Sequence, residues 1–356
     1  MIVIYFSAQL PLANIPVAGQ KIANNHLKQL GSPSKIIIFS FVNKIEKPFL
    51  RLSYFKVFKK TYLTHTNLYR RILNCILNLQ YPFKVSNRFY NSVFNDLVNE
   101  IILNKVNKIF FEFTSSMLYA KKLRDIFPDL EIHFVEHDVT FQSYKRLSKS
   151  NNLFRKLFYS FEYCRIKKFE LNNLKKFDFI YTLNNKDLEI LKKYRINNIS
   201  VKYPQVDDWI YKVRRDKIQN KTILFLGAMH RKENQDAVFW FVNKIIPSLI
   251  EIHPNLRFYI IGGGVKNNIK KLQSKNIIVT GYVKDLKKYF EFIQIAVVPL
   301  NFGAGIKIKT IETVSAKILT ISTKIGAEGV NESPFLKIVN SKKIYISTLL
   351  KEFENE

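Results

Sequence analysis

Cysteine is scarce in this chain: Cys75 and Cys164 are the two present among 356 residues. Two cysteines far apart in sequence make neither a disulfide framework nor a metal-binding spacing, so the sequence reads as one for a reducing compartment. The six histidines form no HxxxH or HExxH pattern, and neither a bound metal nor a cofactor is expected. No apolar run reaches the ~18 residues that a membrane-spanning helix needs. The first twenty residues, MIVIYFSAQLPLANIPVAGQ, lack any charged side chain. No Lys or Arg precedes their apolar part, and Pro11 and Pro16 interrupt it, so they read as a buried strand and a loop rather than a signal peptide. There is no repeat of fixed period and no low-complexity tail. The expectation is a soluble or peripheral protein in the cytoplasm, with attachment to the inner face of the plasma membrane as its further form.

Acidic residues are also few. Asp and Glu number 28 against 57 Lys and Arg, for a formal net charge of +29. Such a chain is attracted to polyanions: nucleic acid, an anionic membrane or phosphorylated small molecules. A compositional bias toward Lys, Asn, Ile and Phe gives the same excess, so the clustering of the charge is what carries information.

The length suits two domains of roughly 150–200 residues. In the first half, short β-branched and aromatic runs at 1–7, 35–42, 108–113, 131–136 and 178–182 suit strands buried on both faces of a parallel sheet. Helical periods lie between them, as in SNRFYNSVFNDLVNEIILNK, where Phe89, Val93, Phe94, Leu97, Val98 and Ile101 recur at helical spacing behind Ser86 as an expected N-cap. The second half holds TILFLGAM, LRFYIIGGG, NIIVTGYV, IAVVPL and ILTIST, mostly alternating with helical segments such as QDAVFWFVNKIIPSLIEI. The fold class is α/β, with two Rossmann-like doubly wound domains facing a cleft. The expected boundaries are an N-terminal domain over 1–203, a Pro-containing, charged linker over 204–221, and a C-terminal domain over 222–356.

The loops at strand carboxyl ends in the second half carry the chemistry. In NFGAGIKIKTIETVSAK, residues 301–317, Gly303 and Gly305 let backbone approach a ligand. The helix expected to start near Ile306 turns N–H groups and a positive dipole end to the same place. Lys307 and Lys309 add charge. Lys309 and Glu312, three apart, suit a phosphate beside a sugar diol, although an ordinary helical ion pair has the same spacing. Further loops are GAMHRKENQD, Gly262 to Gly264, and Gly281 to Val283.

The run PLNFGAGIKIKTIETVSAKILTISTKIGAEGV resembles the C-terminal signature of the retaining glycosyltransferases of family 4, in the GT-B fold. The likeness covers roughly 222–330 well. It is weaker over the first half, where VEHDVTFQSYKR and KKFDFIYTLNNKDLEIL are similar to that family's N-terminal domain. The resemblance implies a nucleoside-diphosphate sugar as donor substrate and a glycan or lipid-linked acceptor, in cell-surface polysaccharide synthesis. By resemblance, Glu312 binds the ribose hydroxyls, Lys309 lies near the diphosphate with Lys307 as a basic neighbour, and the backbone of Gly281, Tyr282 and Val283 reads the base. Gly19 matches a glycine loop that closes over the donor, and His137 matches a histidine near the transferred sugar.

Three departures stand out. Ala304 occupies the place of a glutamate that often faces the sugar, and Ala228 that of an arginine for which Arg231 and Lys232 can substitute. The long final helix of the family reads as short or missing. Two basic, aromatic segments, 51–73 and 143–177, read as membrane-surface elements or, equally, as solvated faces of helices that pack by their apolar sides; the second holds ten Lys or Arg against two Glu. Three other readings are a catalytically inactive relative, suggested by Ala304 and the short C-terminus; a GT-B nucleotide-sugar epimerase, using Glu136 and Asp138 beside His137; and a basic nucleic-acid-binding protein. The last lacks any matching motif, so nucleic acid is not an expected partner.

Overall fold

A computed structural model of the protein describes residues 1–12, 17–44, 46–50, 52–149, 152–303 and 305–354. The chain divides into two compact units that meet in sequence between Pro204 and Gln205.

The first unit is built on a parallel seven-stranded sheet. Its strands are β1 (Val3–Ser7), β2 (Ile36–Val42), β3 (Lys60–His65), β4 (Lys108–Glu112), β5 (Glu131–Glu136), β6 (Phe179–Thr182) and β7 (Ile199–Val201). Their order is β3-β2-β1-β4-β5-β6-β7. All seven residues of β2 are buried, which is why its sequence, IIIFSFV, is continuously apolar rather than alternating. The core side chains include Phe6, Phe39, Phe111 and Tyr119. The helix expected behind Ser86 runs from Asn91 to Asn104, with Tyr90 at its N-cap. Ser86 instead closes a separate short helix, Phe83–Ser86. Val93, Leu97 and Ile101 face the sheet as their spacing required.

The second unit has a parallel six-stranded sheet: β8 (Gln219–Leu226), β9 (Arg257–Ile261), β10 (Ile277–Gly281), β11 (Ile293–Val298), β12 (Leu319–Ser322) and β13 (Leu336–Ile338). The order is β10-β9-β8-β11-β12-β13. Ala237, Phe241, Ile245 and Leu249 are buried in a line, although the helix they share breaks at Ile245, before Pro247, into Lys232–Lys244 and Ile246–Ile252. The stretch 204–221, expected as a linker, is tied to this unit. Val206 and Ile210 are buried with Leu224, Phe290 and Ile293, and Trp209 packs 5.6 Å from the Phe290 ring. The last helix, Lys342–Glu354, buries Tyr345, Leu349 and Phe353 in the same unit's core.

Both sheets reverse their strand order once, between β1 and β4 and between β8 and β11. At such a switch the loops leaving two neighbouring strands turn to opposite sides and open a crevice at the carboxyl ends.

Candidate functional site

In the second unit the loops after β8, β9 and β10 are joined backbone to backbone. Gly227 N–H donates to Ile261 O (2.9 Å), Met229 N–H to Gly263 O (2.7 Å) and Gly262 N–H to Gly281 O (2.9 Å). Gly262, at φ +149°, makes this possible: a Cβ there would lie 1.8 Å from the Gly227 carbonyl oxygen. Gly281, at φ +70°, ends β10 and leaves Tyr282 exposed and Val283 half-buried against the core.

On the other side of the switch, Gly303 (φ +134°) and Gly305 (φ +75°) bring the chain into the helix Ile308–Ser315. The helix begins two residues later than the sequence suggested, and Lys307 is its N-cap. Lys307 is therefore not on the helix face; its buried ammonium folds back to donate to Gly305 O and lies 3.5 Å from Glu328. Lys309 points across the switch. Its Nζ donates to Asn234 Oδ1 (2.5 Å), lies 4.7 Å above the Phe225 ring, and is 2.8 Å from where a Cβ of Gly227 would be. Asn234 is held in turn by its own Nδ2, which donates to Ala228 O (2.8 Å).

Burial foremost, then the charges of Arg231 and Lys307, pull the Lys309 ammonium down to about 7, against the opposing carboxylates of Glu233 and Glu312. A cation so placed is short of negative charge, and an anion at this point would restore it. Arg231 caps the helix Lys232–Lys244 and pairs with Glu233 at 2.6 Å, while Lys232 is exposed on its first turn. Glu312 is buried one turn beyond Lys309. Arg231, Lys307, Lys309, Glu312, Gly303 and Gly305 thus share one site; Gly281 to Val283 border it through the Gly262 backbone. Ala304 lies outside the described residues.

In the first unit the switch gathers a second group. Glu112, the last residue of β4, is fully buried and takes a hydrogen bond from each of two imidazoles: His26 Nδ1 at 2.9 Å and His137 Nε2 at 2.5 Å. Burial would raise the Glu112 carboxyl, but His26 and His137 outweigh it and hold the group at about 2. His137 follows β5 and stacks on Phe113, ring centroids 3.8 Å apart. Phe113 stands at φ +70°, a conformation that costs a non-glycine residue about 1–3 kcal/mol, so the stacking geometry is held against strain. Gly19 admits this pair: a Cβ there would be 3.0 Å from Phe113 and 3.5 Å from His137 Nδ1. Glu136, by contrast, is fully buried and bonded to Thr114 at 2.5 Å. Burial first, and Glu170 second, push its carboxyl well above the usual range.

Residues 220–345 match the model of the family described as Glycosyl transferases group 1. A Klebsiella pneumoniae protein described as an uncharacterized 44.6 kDa protein in cps region is 24% identical over 226 residues, 60% of this chain and 57% of that protein. The chain therefore matches less than two thirds of that relative's length. HepE of Anabaena, solved in complex with UDP, superposes with a TM-score of 0.67 at 10% identity, over 100% of this chain and 90% of that one. The alpha,alpha-trehalose-phosphate synthase (UDP-forming) of Burkholderia xenovorans does so with a TM-score of 0.66 at 11% identity, over 100% and 93%. The fold is GT-B.

Several residues of the two GT-B switch points were not given a role from the sequence: Asn234, inside the loop GAMHRKENQD, and Glu328 in the second unit, His26, Glu112 and Phe113 in the first. Glu112 left a signal, since it is the one acidic residue in the apolar run KIFFEF. A carboxylate closing a buried strand needs a partner, and that partner had to be found in space.

Proposed function

We propose that the protein is a glycosyltransferase of the retaining family 4 type. It would move a sugar, in the first instance a hexose, from a nucleoside-diphosphate sugar to a glycan or lipid-linked acceptor in cell-surface polysaccharide synthesis. The observation that carries this reading is Lys309, set against Gly227 and Asn234 in the helix that follows the Gly303–Gly305 loop, with its ammonium depressed by burial and by the neighbouring Arg231 and Lys307. The family match over 220–345 and the relative in a cps region support it. HepE, solved with UDP and with UDP-glucose, makes a uridine donor the first to test.

In the proposed reaction the bond between the anomeric carbon and the diphosphate oxygen breaks, and its electron pair leaves with the diphosphate. Lys309, Lys307, Arg231 and Lys232, with the N–H groups opening the helix Ile308–Ser315, stabilise that charge. The acceptor hydroxyl forms the new bond to the anomeric carbon and loses its proton. Glu312 accepts from the ribose hydroxyls, and the Gly281–Val283 backbone reads the base. Gly19 approaches the donor, and His137 contacts the transferred sugar, aligned by Glu112. No metal or cofactor is invoked, since side-chain cations fill that electrostatic role. The enzyme would act in the cytoplasm, at the inner face of the plasma membrane.

Calorimetry with UDP, GDP and ADP tests the donor site. At least one is expected to bind, and Lys309→Ala is expected to abolish that binding together with donor hydrolysis. Equal binding and hydrolysis by wild type and Lys309→Ala would reject the assignment.

A further inference from the structure

Two helices of the first unit are inside out. On Leu68–Leu77, the residue turned into the protein is polar, Asn74. Leu68, Tyr69, Ile72, Leu73, Ile76 and Leu77 are instead exposed, Leu68 to 71% and Tyr69 to 74%. A surface helix of a water-bounded domain shows the opposite pattern. The first turns of Leu153–Leu174 repeat the inversion. Glu162 is buried at 0% exposure, while Leu153, Phe154, Leu157, Phe158 and Phe161 are exposed, Phe154 to 83%.

The second helix packs on the chain that leaves the first. Phe83, six residues past the first helix, stacks on Phe158 at 5.7 Å and donates its N–H to Glu162 at 2.8 Å. Arg165 reaches back to the carbonyls of Leu79 and Tyr81. The segment expected to be one basic element over 51–73 is not one: β3 runs through it, and the amphipathic part begins at Leu68. So large an apolar face on one side of a domain marks an interaction site.

The charge around it selects the partner. Residues 66–90 hold no acidic side chain, and the two glutamates of 143–177, Glu162 and Glu170, are both buried. Arg70, Lys145, Lys149, Arg155 and Lys156 are exposed beside the apolar residues. A second copy of this chain would bring like charge against like charge. Among the described residues no helix is long and apolar enough to cross a membrane, so the face lies on a partner rather than through one. We propose that these two helices form one docking surface for an anionic phospholipid bilayer, with the leucine and phenylalanine side chains entering the acyl boundary and the basic side chains meeting the headgroups. This deepens the membrane part of the reading above, and vesicle binding does not depend on sugar transfer.

The test uses the full chain and vesicles of phosphatidylcholine, with or without about one third phosphatidylglycerol. Wild type is expected to sediment with the anionic vesicles at low salt, about tenfold more than with neutral ones, and to be released by high salt. A variant carrying Ile72→Ser, Ile76→Ser, Phe154→Ser and Leu157→Ser changes exposed positions alone. It should keep its circular dichroism and its nucleotide affinity while losing about tenfold in vesicle binding. Arg155→Gln with Lys156→Gln should weaken binding at low salt. Wild type staying in the supernatant, or a serine variant that sediments like wild type, would overturn the proposal. So would a dimer on gel filtration that the serine variant dissociates. Nucleotide affinity, measured without vesicles, reports separately on the donor site.

Discussion

The ammonium of Lys309 and the side-chain oxygen of Asn234 lie 2.5 Å apart, joining the helix after β11 to the helix after β8 across the point where the second sheet reverses its order. An amide is a weak partner for a buried cation. It fixes the direction of the ammonium without neutralising it, which leaves the charge to act on a ligand. The site is accordingly built at a cost to the empty protein.

Lys309→Met should therefore separate function from stability. It removes a poorly compensated cation and keeps an unbranched chain over the Phe225 ring. Nucleoside-diphosphate affinity is expected to fall about a hundredfold, while the unfolding free energy at pH 8 rises by about 1–2 kcal/mol. Titration calorimetry and thermal melts of the two proteins read both changes. A variant less stable than wild type would mean that the lysine supports the fold.

The same lysine gives the pH dependence a sign. Its folded-state value of about 7 lies below the ordinary 10.5, so between those values the unfolded chain binds the extra proton and stability rises with pH. Binding runs the other way. A diphosphate raises the pKa, so affinity is complete below about 7 and declines above it, with a proton taken up on binding. Calorimetry in buffers of different ionisation enthalpy at pH 8 should show that uptake for wild type and not for Lys309→Met.

Gly262→Ala should damage the loops that frame the donor site. The new methyl would meet the Gly227 carbonyl oxygen at 1.8 Å, on a backbone at φ +149° that L-residues rarely adopt. The expected loss is about 3 kcal/mol or more, because two strand ends must separate. Gly31→Ala is the control: it shares a positive φ, +104°, but has open space around it. A Gly262→Ala loss no larger than the control's would show that the close approach is not needed.

The long buried strands and the donor loop were legible because their residues are contiguous. IIIFSFV and IAVVPL contain their own evidence for a two-sided parallel sheet, and Gly303, Gly305, Lys307, Lys309 and Glu312 lie within ten residues. The strands that escaped notice are at or near sheet edges. β3, KTYLTH, is half-exposed and mixes polar with apolar residues, while β7 and β13 are three residues each. The helix Leu68–Leu77 was hidden in part within the segment 51–73, read as one basic element, and which of its faces lies inward is decided by packing and not by period. The His26–Glu112–His137 group was not legible, because its members come from a helix, a strand end and a loop separated by up to 111 positions.

That group supports the last prediction, on Glu112 as a positioning residue. Its carboxylate, held at about 2, can accept from both imidazoles at once, which fixes the proton of His137 on Nε2 and leaves Nδ1 turned toward Gly19. Gln at this position keeps the shape but offers one acceptor oxygen and a competing N–H. Glu112→Gln should lower kcat about ten- to a hundredfold with little change in the donor KM, because the donor contacts of the second unit are untouched. The nitrogen chemical shifts of His137 should move away from the Nε2–H tautomer, a change that a purely structural carboxylate would not produce. Glu112 also contributes stability that is present above about pH 4.5 and lost as pH falls toward 2, so acid unfolding of the variant should be less steep across that window. Unchanged kcat and an unchanged His137 spectrum would reduce Glu112 to a buried anchor for the helix that carries His26.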